Sequence, residues 1–282
     1  MNLTNKIGMI LDEFADEYSS LTGISTEEIK SLCNSSIKYY NGKIVENPLG
    51  HLDKLWFDGQ EAGINNYNVY GHRDYYAEAF ACWYIYSSKY LKRIFDLEVK
   101  SPDVFESLRL DSVDSIIDLG NGLGFTTLMI ARHFRNAKIY GTNLKDTLQW
   151  EFCSKTNHGE YELIQDYSTL GHIDIVFASE YFEHIENCLE HVSDIVDKIS
   201  PRIMVIANSF NTRGIGHIYN YLNYGQVIHQ SLISKQFIKK MISLGYAKVP
   251  TKFWNQSPNV YVKVESGPTL EEFMNQPSSK LS

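Results

Sequence analysis

The chain has 282 residues, 43% of them hydrophobic and 21% charged, the balance of a folded globular protein and not of a disordered one. Lys and Arg number 26 against 34 Asp and Glu, for a net charge of −8. Acids outnumber bases on both sides of residue 110, so nucleic acid is not a favoured partner. No apolar run reaches the ~18 residues of a membrane span, and early acids interrupt the first twenty residues where a secretory signal would be basic and then apolar. Cys33, Cys82, Cys153 and Cys188 lie far apart with no CxxC spacing. The expectation is a reduced, cytoplasmic protein without a membrane partner.

Ile7, Ile10, Leu11, Phe14, Tyr18 and Leu21 recur at helical spacing, and Gly23 closes that pattern. Ser25 and Glu28 have the spacing of a capping box, which predicts a second helix to about Tyr40. Residues 41–66, with Asn-Gly, Asn-Pro and Asp-Gly pairs, read as loop. From Asp74 a long aromatic-rich helix is expected. Residues 1–110 are read as a helical cap, residues 111–266 as the main domain and residues 267–282 as a mobile polar tail.

From Val113 short apolar runs alternate with helical patterns. Strands are expected in DSVDSIIDLG, AKIYGTNL, YELIQDY, IDIVFASE and RIMVIANSF, and a helix at HIENCLEHVSDIVDKIS, followed by one more helix and two closing strands. Alternation of this kind predicts an α/β fold with a doubly wound, mostly parallel sheet.

The chemistry-bearing motif is Asp118-Leu-Gly120-Asn121-Gly122-Leu-Gly124, a strand end, a glycine turn and a helix start. It does not fit the dinucleotide pattern G-x-G-x-x-G, since Phe125 and Thr127 stand where the third glycine belongs. It resembles motif I of the class I S-adenosylmethionine (SAM)-dependent methyltransferases, and the resemblance extends over about residues 113–265. This implies a Rossmann-like seven-stranded sheet and SAM as cofactor. In that reading Gly120, Asn121, Gly122 and Gly124 receive the methionine part and Asp118 orders its ammonium. Asn143, followed by Leu144, stands where the family places a ribose-binding acid. A carboxylate at 143 would then strengthen binding. Asp166 and Tyr167 occupy the adenine position, and Ser179 closes the cofactor set.

The stretch after the fourth strand reads Ala178-Ser179-Glu180-Tyr181, without the Asp/Asn-Pro-Pro-Tyr/Phe of amino-methylating DNA enzymes, and no Cys follows Pro as cytosine-5 chemistry requires. Transfer to a small molecule, or to an exposed group of a macromolecule, remains. Glu180 is the candidate base or acceptor anchor, against the plainer reading of a helix-start acid, with Tyr181 beside it. Asn208, Ser209 and Asn211 follow the fifth strand. His217 and Arg213 lie in an insert that borders the acceptor in related enzymes. His184 reads as a packing residue. His191 shares its face, but with no third ligand in view no metal site is assigned. Tyr67, Tyr70, Tyr75, Tyr76, Tyr84, Tyr86 and Tyr90, with Phe80 and Trp83, are expected to lid the site and to favour a planar or aromatic acceptor. A macromolecular methyltransferase and a SAM-fold binding protein without turnover stay open, as does self-association.

Overall fold

The structure is a computed structural model; it describes residues 14–40, 42–43, 51–62, 75–76, 78–81, 83–84, 113–212, 214–249 and 259–264. The polar tail, Arg213 and Tyr67, Tyr70, Tyr86 and Tyr90 fall outside these.

Helix α1 covers residues 14–22 and ends at Gly23, whose φ of 71° is a left-handed stop. Helix α2, Thr26–Tyr40, starts as its sequence predicts, with the Glu28 N–H donating to Ser25 Oγ at 3.2 Å. Strands β1 (Ser115–Leu119), β2 (Lys138–Thr142), β3 (Glu162–Ile164), β4 (Ile175–Ser179) and β5 (Ile203–Ala207) are parallel. Helix α4 (Phe125–His133) follows β1, α5 (Leu148–Thr156) follows β2, and α6 (Cys188–Ile199) follows β4. Helix α7, Gln230–Ser243, leads into β8 (Tyr246–Val249) and β9 (Asn259–Lys263). The sheet order is β3-β2-β1-β4-β5-β9-β8, with β9 antiparallel to both neighbours. This is the expected doubly wound, mostly parallel, seven-stranded α/β fold.

Alternation along each buried strand sorts the core into two layers. Ile116, Ile175, Phe177, Ile203 and Val205 face one layer, where they join Phe14, Tyr18, Phe80, Phe125 and Phe152. Ile117, Val176, Ala178, Met204 and Ile206 face the other, with Leu189, Val192 and Ile195 of α6 and Phe237 of α7. Each of the Val, Leu, Ile, Met and Phe side chains among these contributes about 1.5–3 kcal/mol by leaving water. Asp174 ties the strand starts together: its Oδ2 accepts from the Asp114 and Ser115 N–H groups at 2.8 and 3.1 Å.

Two segments correct the sequence reading. Residues 41–66 are not all loop, because His51–Glu61 forms helix α3. Its Asp58-Gly59 pair has the look of a turn, and a helical glycine costs about 1 kcal/mol. Tertiary contacts override that cost: Trp56 is fully buried and its Nε1–H donates to the His217 carbonyl at 2.9 Å. Gln60 Oε1 likewise accepts from the Tyr219 N–H at 3.2 Å. The second correction is the insert after β5, which contains a hairpin of β6 (Asn220–Asn223) and β7 (Gln226–His229). Tyr224 and Gly225 turn it with φ of 46° and 79°, the two positive values a tight hairpin turn needs.

Candidate functional site

The carboxyl ends of β1, β2, β4 and β5 converge, as parallel strands in such a sheet must, and the residues that follow them form the site. After β1 the chain turns through Gly120 and Gly122 with φ of 66° and 55°. Both need glycine for a second reason. A Cβ on Gly120 would run into the Tyr181 ring, and one on Gly122 into the Trp83 ring.

Below those rings the turn is fastened to β2. The Gly120 N–H donates to Thr142 Oγ1 and the Asn121 N–H to the Thr142 carbonyl, both at 2.9 Å. Asn143 Nδ2 donates to Asn121 Oδ1 at 2.9 Å and to the Gly122 carbonyl at 2.8 Å, while its Oδ1 accepts from the Leu144 N–H at 2.9 Å. The Cys153 thiol donates to the same Gly122 carbonyl at 3.4 Å. Burial pushes that thiol up to about 12. Asn143 therefore acts as a clamp on the loop, an engagement its sequence position does not announce.

Asp118 is 3% exposed, and Oδ2 accepts from Thr127 Oγ1 at 2.6 Å. Burial raises its carboxyl to about 7 against the opposing pull of Thr127. Asp166, at the end of β3, is exposed, and Ser168 N–H and Oγ donate to it at 2.8 Å, holding it below the usual carboxylate range. Tyr167 is half-buried, its ring edge-on to His191 at 6.4 Å. Leu144 is exposed and Ser179 buried. Of the aromatic segment, Phe80 and Tyr84 are core, whereas Trp83 lies at the glycine turn.

The end of β4 carries the second half of the site. Glu180 has a left-handed backbone, φ 49°, held by its N–H donating to the Ala207 carbonyl at 2.7 Å. Tyr181 points its hydroxyl at His191 Nε2, 2.9 Å away. A single turn of 3-10 helix, Phe182–His184, then buries Glu183 completely. Ser209 binds both acids: its N–H donates to Glu183 Oε1 at 2.6 Å and its Oγ to Glu180 Oε1 at 3.0 Å. The Asn208 amide, turned nitrogen-inward, donates to Glu183 Oε2 at 3.2 Å. Burial first, and then the adjoining Glu180 charge, lift Glu183 well above the usual carboxyl range.

The insert brings in the third partner. Ile218 N–H and Tyr221 Oη both donate to the Glu183 carbonyl, at 3.0 and 3.2 Å, which sets His217 beside the acids. His217 is 7% exposed and its Nδ1 lies 2.6 Å from the Thr212 carbonyl, so Nδ1 carries the proton. Its ring stands perpendicular to that of His184 at 4.9 Å. Burial, reinforced by His217, drives His184 down to about 3, and burial lowers His217 too. Carboxylate oxygens of Glu180 and Glu183 and a ring nitrogen of His217 all lie within 4.8 Å of one another.

The structure thus brings together Glu180, Tyr181 and His217 near the glycine turn, and adds Glu183, Asn208 and Ser209. The sequence holds one sign of Glu183, its three-residue spacing from Glu180 just past a strand end. His191 pairs with Tyr181 and not with His184.

No protein-family model matches the chain, and no curated protein does. Solved structures do. The methyltransferase domain of bacterial CtHen1 is 15% identical, covers 56% of this chain and 95% of that one, and has a TM-score of 0.40. An O-methyltransferase family protein from Burkholderia thailandensis is 13% identical over 70% of this chain and 62% of that one, TM-score 0.46. Magnesium protoporphyrin IX methyltransferase from Synechocystis PCC 6803, solved with bound SAM, is 16% identical over 64% and 84%, TM-score 0.40. At such identities the likeness concerns the fold, and the chemistry must be read from the site itself.

For SAM the backbone fits: a glycine turn with room for no side chain lies at the end of β1, beside the mouth of β4. Two rings stand over it, so Trp83 and Tyr181 would have to shift or share the groove.

Proposed function

We propose that this chain is a SAM-dependent methyltransferase acting on a small, planar acceptor. The observation that carries the reading is the clamped glycine turn opening next to the Glu180–Glu183–His217 group. SAM, when bound, supplies a methyl group on a sulfonium. The chain's own residues have to seat it, align the acceptor and keep water away.

Gly120, Asn121, Gly122 and Gly124 seat the methionine part, while Asp166 and Tyr167 flank the adenine, with Leu144 and Ser179 on the groove walls. Asp118 joins the end of β1 to α4 through Thr127, on either side of the turn. The Trp83 and Tyr181 rings supply apolar surface against a flat acceptor. Glu180, steered by Ser209, anchors the acceptor or takes its proton. Burial favours the neutral ring of His217, which the Thr212 carbonyl orients through Nδ1.

We also keep a cytoplasmic location as part of this reading, on the scattered cysteines. Among the described residues no helix is long and apolar enough to cross a membrane.

Thermal shift and calorimetry with SAM and S-adenosylhomocysteine test the proposal. Saturable binding that Gly122→Val abolishes is expected. A wild-type chain indifferent to millimolar SAM would remove it.

A further inference from the structure

Glu180, Glu183 and His217 come from two places in the chain and meet at the carboxyl end of β4. We infer that they bind one divalent cation. Two carboxylates in contact, one of them with no exposure at all, are not held as a bare pair of anions, because like charges in a low-dielectric setting must share a proton or a cation. The imidazole beside them favours the cation. His217 Nδ1 lies 2.6 Å from the Thr212 carbonyl, a backbone oxygen that orients the ring as one orients a ligating histidine, and a ring nitrogen lies within 4.8 Å of both carboxylates.

The acids are oriented in the same way. Glu183 is fixed by the Ser209 N–H and the Asn208 amide, and Glu180 by Ser209 Oγ. Glu180 also holds a left-handed backbone, one that residues with a side chain rarely adopt. Its carboxylate meets Ser209, just past the end of β5. Groups oriented this closely by outer partners are the hallmark of metal ligands, whereas a solvated acid needs no such support.

The donor set selects the ion. Two carboxylates and one imidazole neutralise a doubly charged cation, and the nitrogen turns preference from Ca²⁺ and Mg²⁺ toward Mn²⁺ or Zn²⁺. Three protein ligands leave coordination positions open. Resting on the methyl-transfer reading, those positions suit an oxygen of the acceptor. Glu180 would then hold the acceptor through the metal instead of taking its proton.

The test is an electron paramagnetic resonance titration of the chelator-treated full chain with MnCl₂. One Mn²⁺ bound per chain is expected, with affinity lowered at least tenfold in both Glu180→Gln and His217→Gln. Glu183→Gln removes a fully buried partner of Ser209 and risks the fold, so half-buried Glu180 carries the weight of the test, with circular dichroism to verify folding. No stoichiometric Mn²⁺ in folded wild type, or unchanged affinity in both folded variants, overturns the inference. SAM binding is measured on the same samples without metal: its loss alone would remove the methyltransferase reading and leave the cation site standing.

Discussion

The ring of Trp83 lies against the face of Gly122 on which any other residue would carry its side chain. An aromatic residue from the N-terminal region thus covers the loop that the proposed cofactor must touch. Emission from Trp83 should report ligand entry. SAM or S-adenosylhomocysteine should shift the tryptophan spectrum of wild type, and Trp83→Phe should lose most of that change while still binding. An equal spectral response in Trp83→Phe would mean that the ring does not move or feel the ligand.

Asn143 supplies two hydrogen bonds to the loop through one amide nitrogen. Asn143→Asp replaces that donor with a carboxylate facing Asn121 Oδ1 and the Gly122 carbonyl. A loss of about 1–3 kcal/mol in stability is expected, the cost of withdrawing the Asn121 side-chain oxygen's donor and of setting a carboxylate against two oxygens, of which the Gly122 carbonyl keeps only the Cys153 thiol. SAM binding should weaken in parallel. This reverses the expectation from sequence position alone, under which an acid at 143 strengthens a ribose contact. Urea unfolding and calorimetry of the one variant decide between them, since tighter SAM binding with unchanged stability would restore the ribose role.

Asp118 makes stability depend on pH. Its folded-state value is about 7, against about 3.9 in an unfolded chain. Between these values the folded protein keeps a proton that the unfolded chain has released, so raising the pH favours unfolding. Stability should fall by up to about 1.4 kcal/mol per pH unit from this group and level off above pH 7. Asp118→Asn should flatten the profile, with Glu183 leaving a residual slope of the same sign. Superimposable urea midpoints for wild type and variant from pH 4.5 to 7.5 would show that Asp118 does not hold the proton.

Trp56 joins α3 to the insert that carries His217. Trp56→Phe keeps most of the buried ring and removes the Nε1 bond to the His217 carbonyl. About 0.5–1.5 kcal/mol of stability should be lost. Trp56→Ala should cost about 3–5 kcal/mol. Denaturant unfolding measures both, and a change below half a kcal/mol for the alanine variant would mean that α3 is not anchored there.

The sheet was legible because each strand is a short apolar run between turn residues, and α6 because Leu189, Val192, Ile195, Val196 and Ile199 recur at helical spacing and are all buried. Helix α3 was not legible, since Asp58-Gly59 imitates a turn and the compensation comes from His217, far along the chain. The β6–β7 hairpin lacked the usual Asn-Gly signal; Tyr224 takes the left-handed place instead. Within the site, the glycine turn could be read from spacing. The grouping of Glu183 with His217 could not, because the insert's hydrogen bonds to the 3-10 turn create it.

Cys153 gives the loop a clock. Its thiol is buried, reluctant to ionise, and closed over by the Gly122 carbonyl that it serves. A thiol reagent can reach this buried sulfur only when the packing around it opens, and lifting of the turn from β2 is one such opening, so the labelling rate, read peptide by peptide, includes those events. Ligands that settle on the loop will slow the count, and substitutions that loosen Asn143 will quicken it, with no change needed in the average structure.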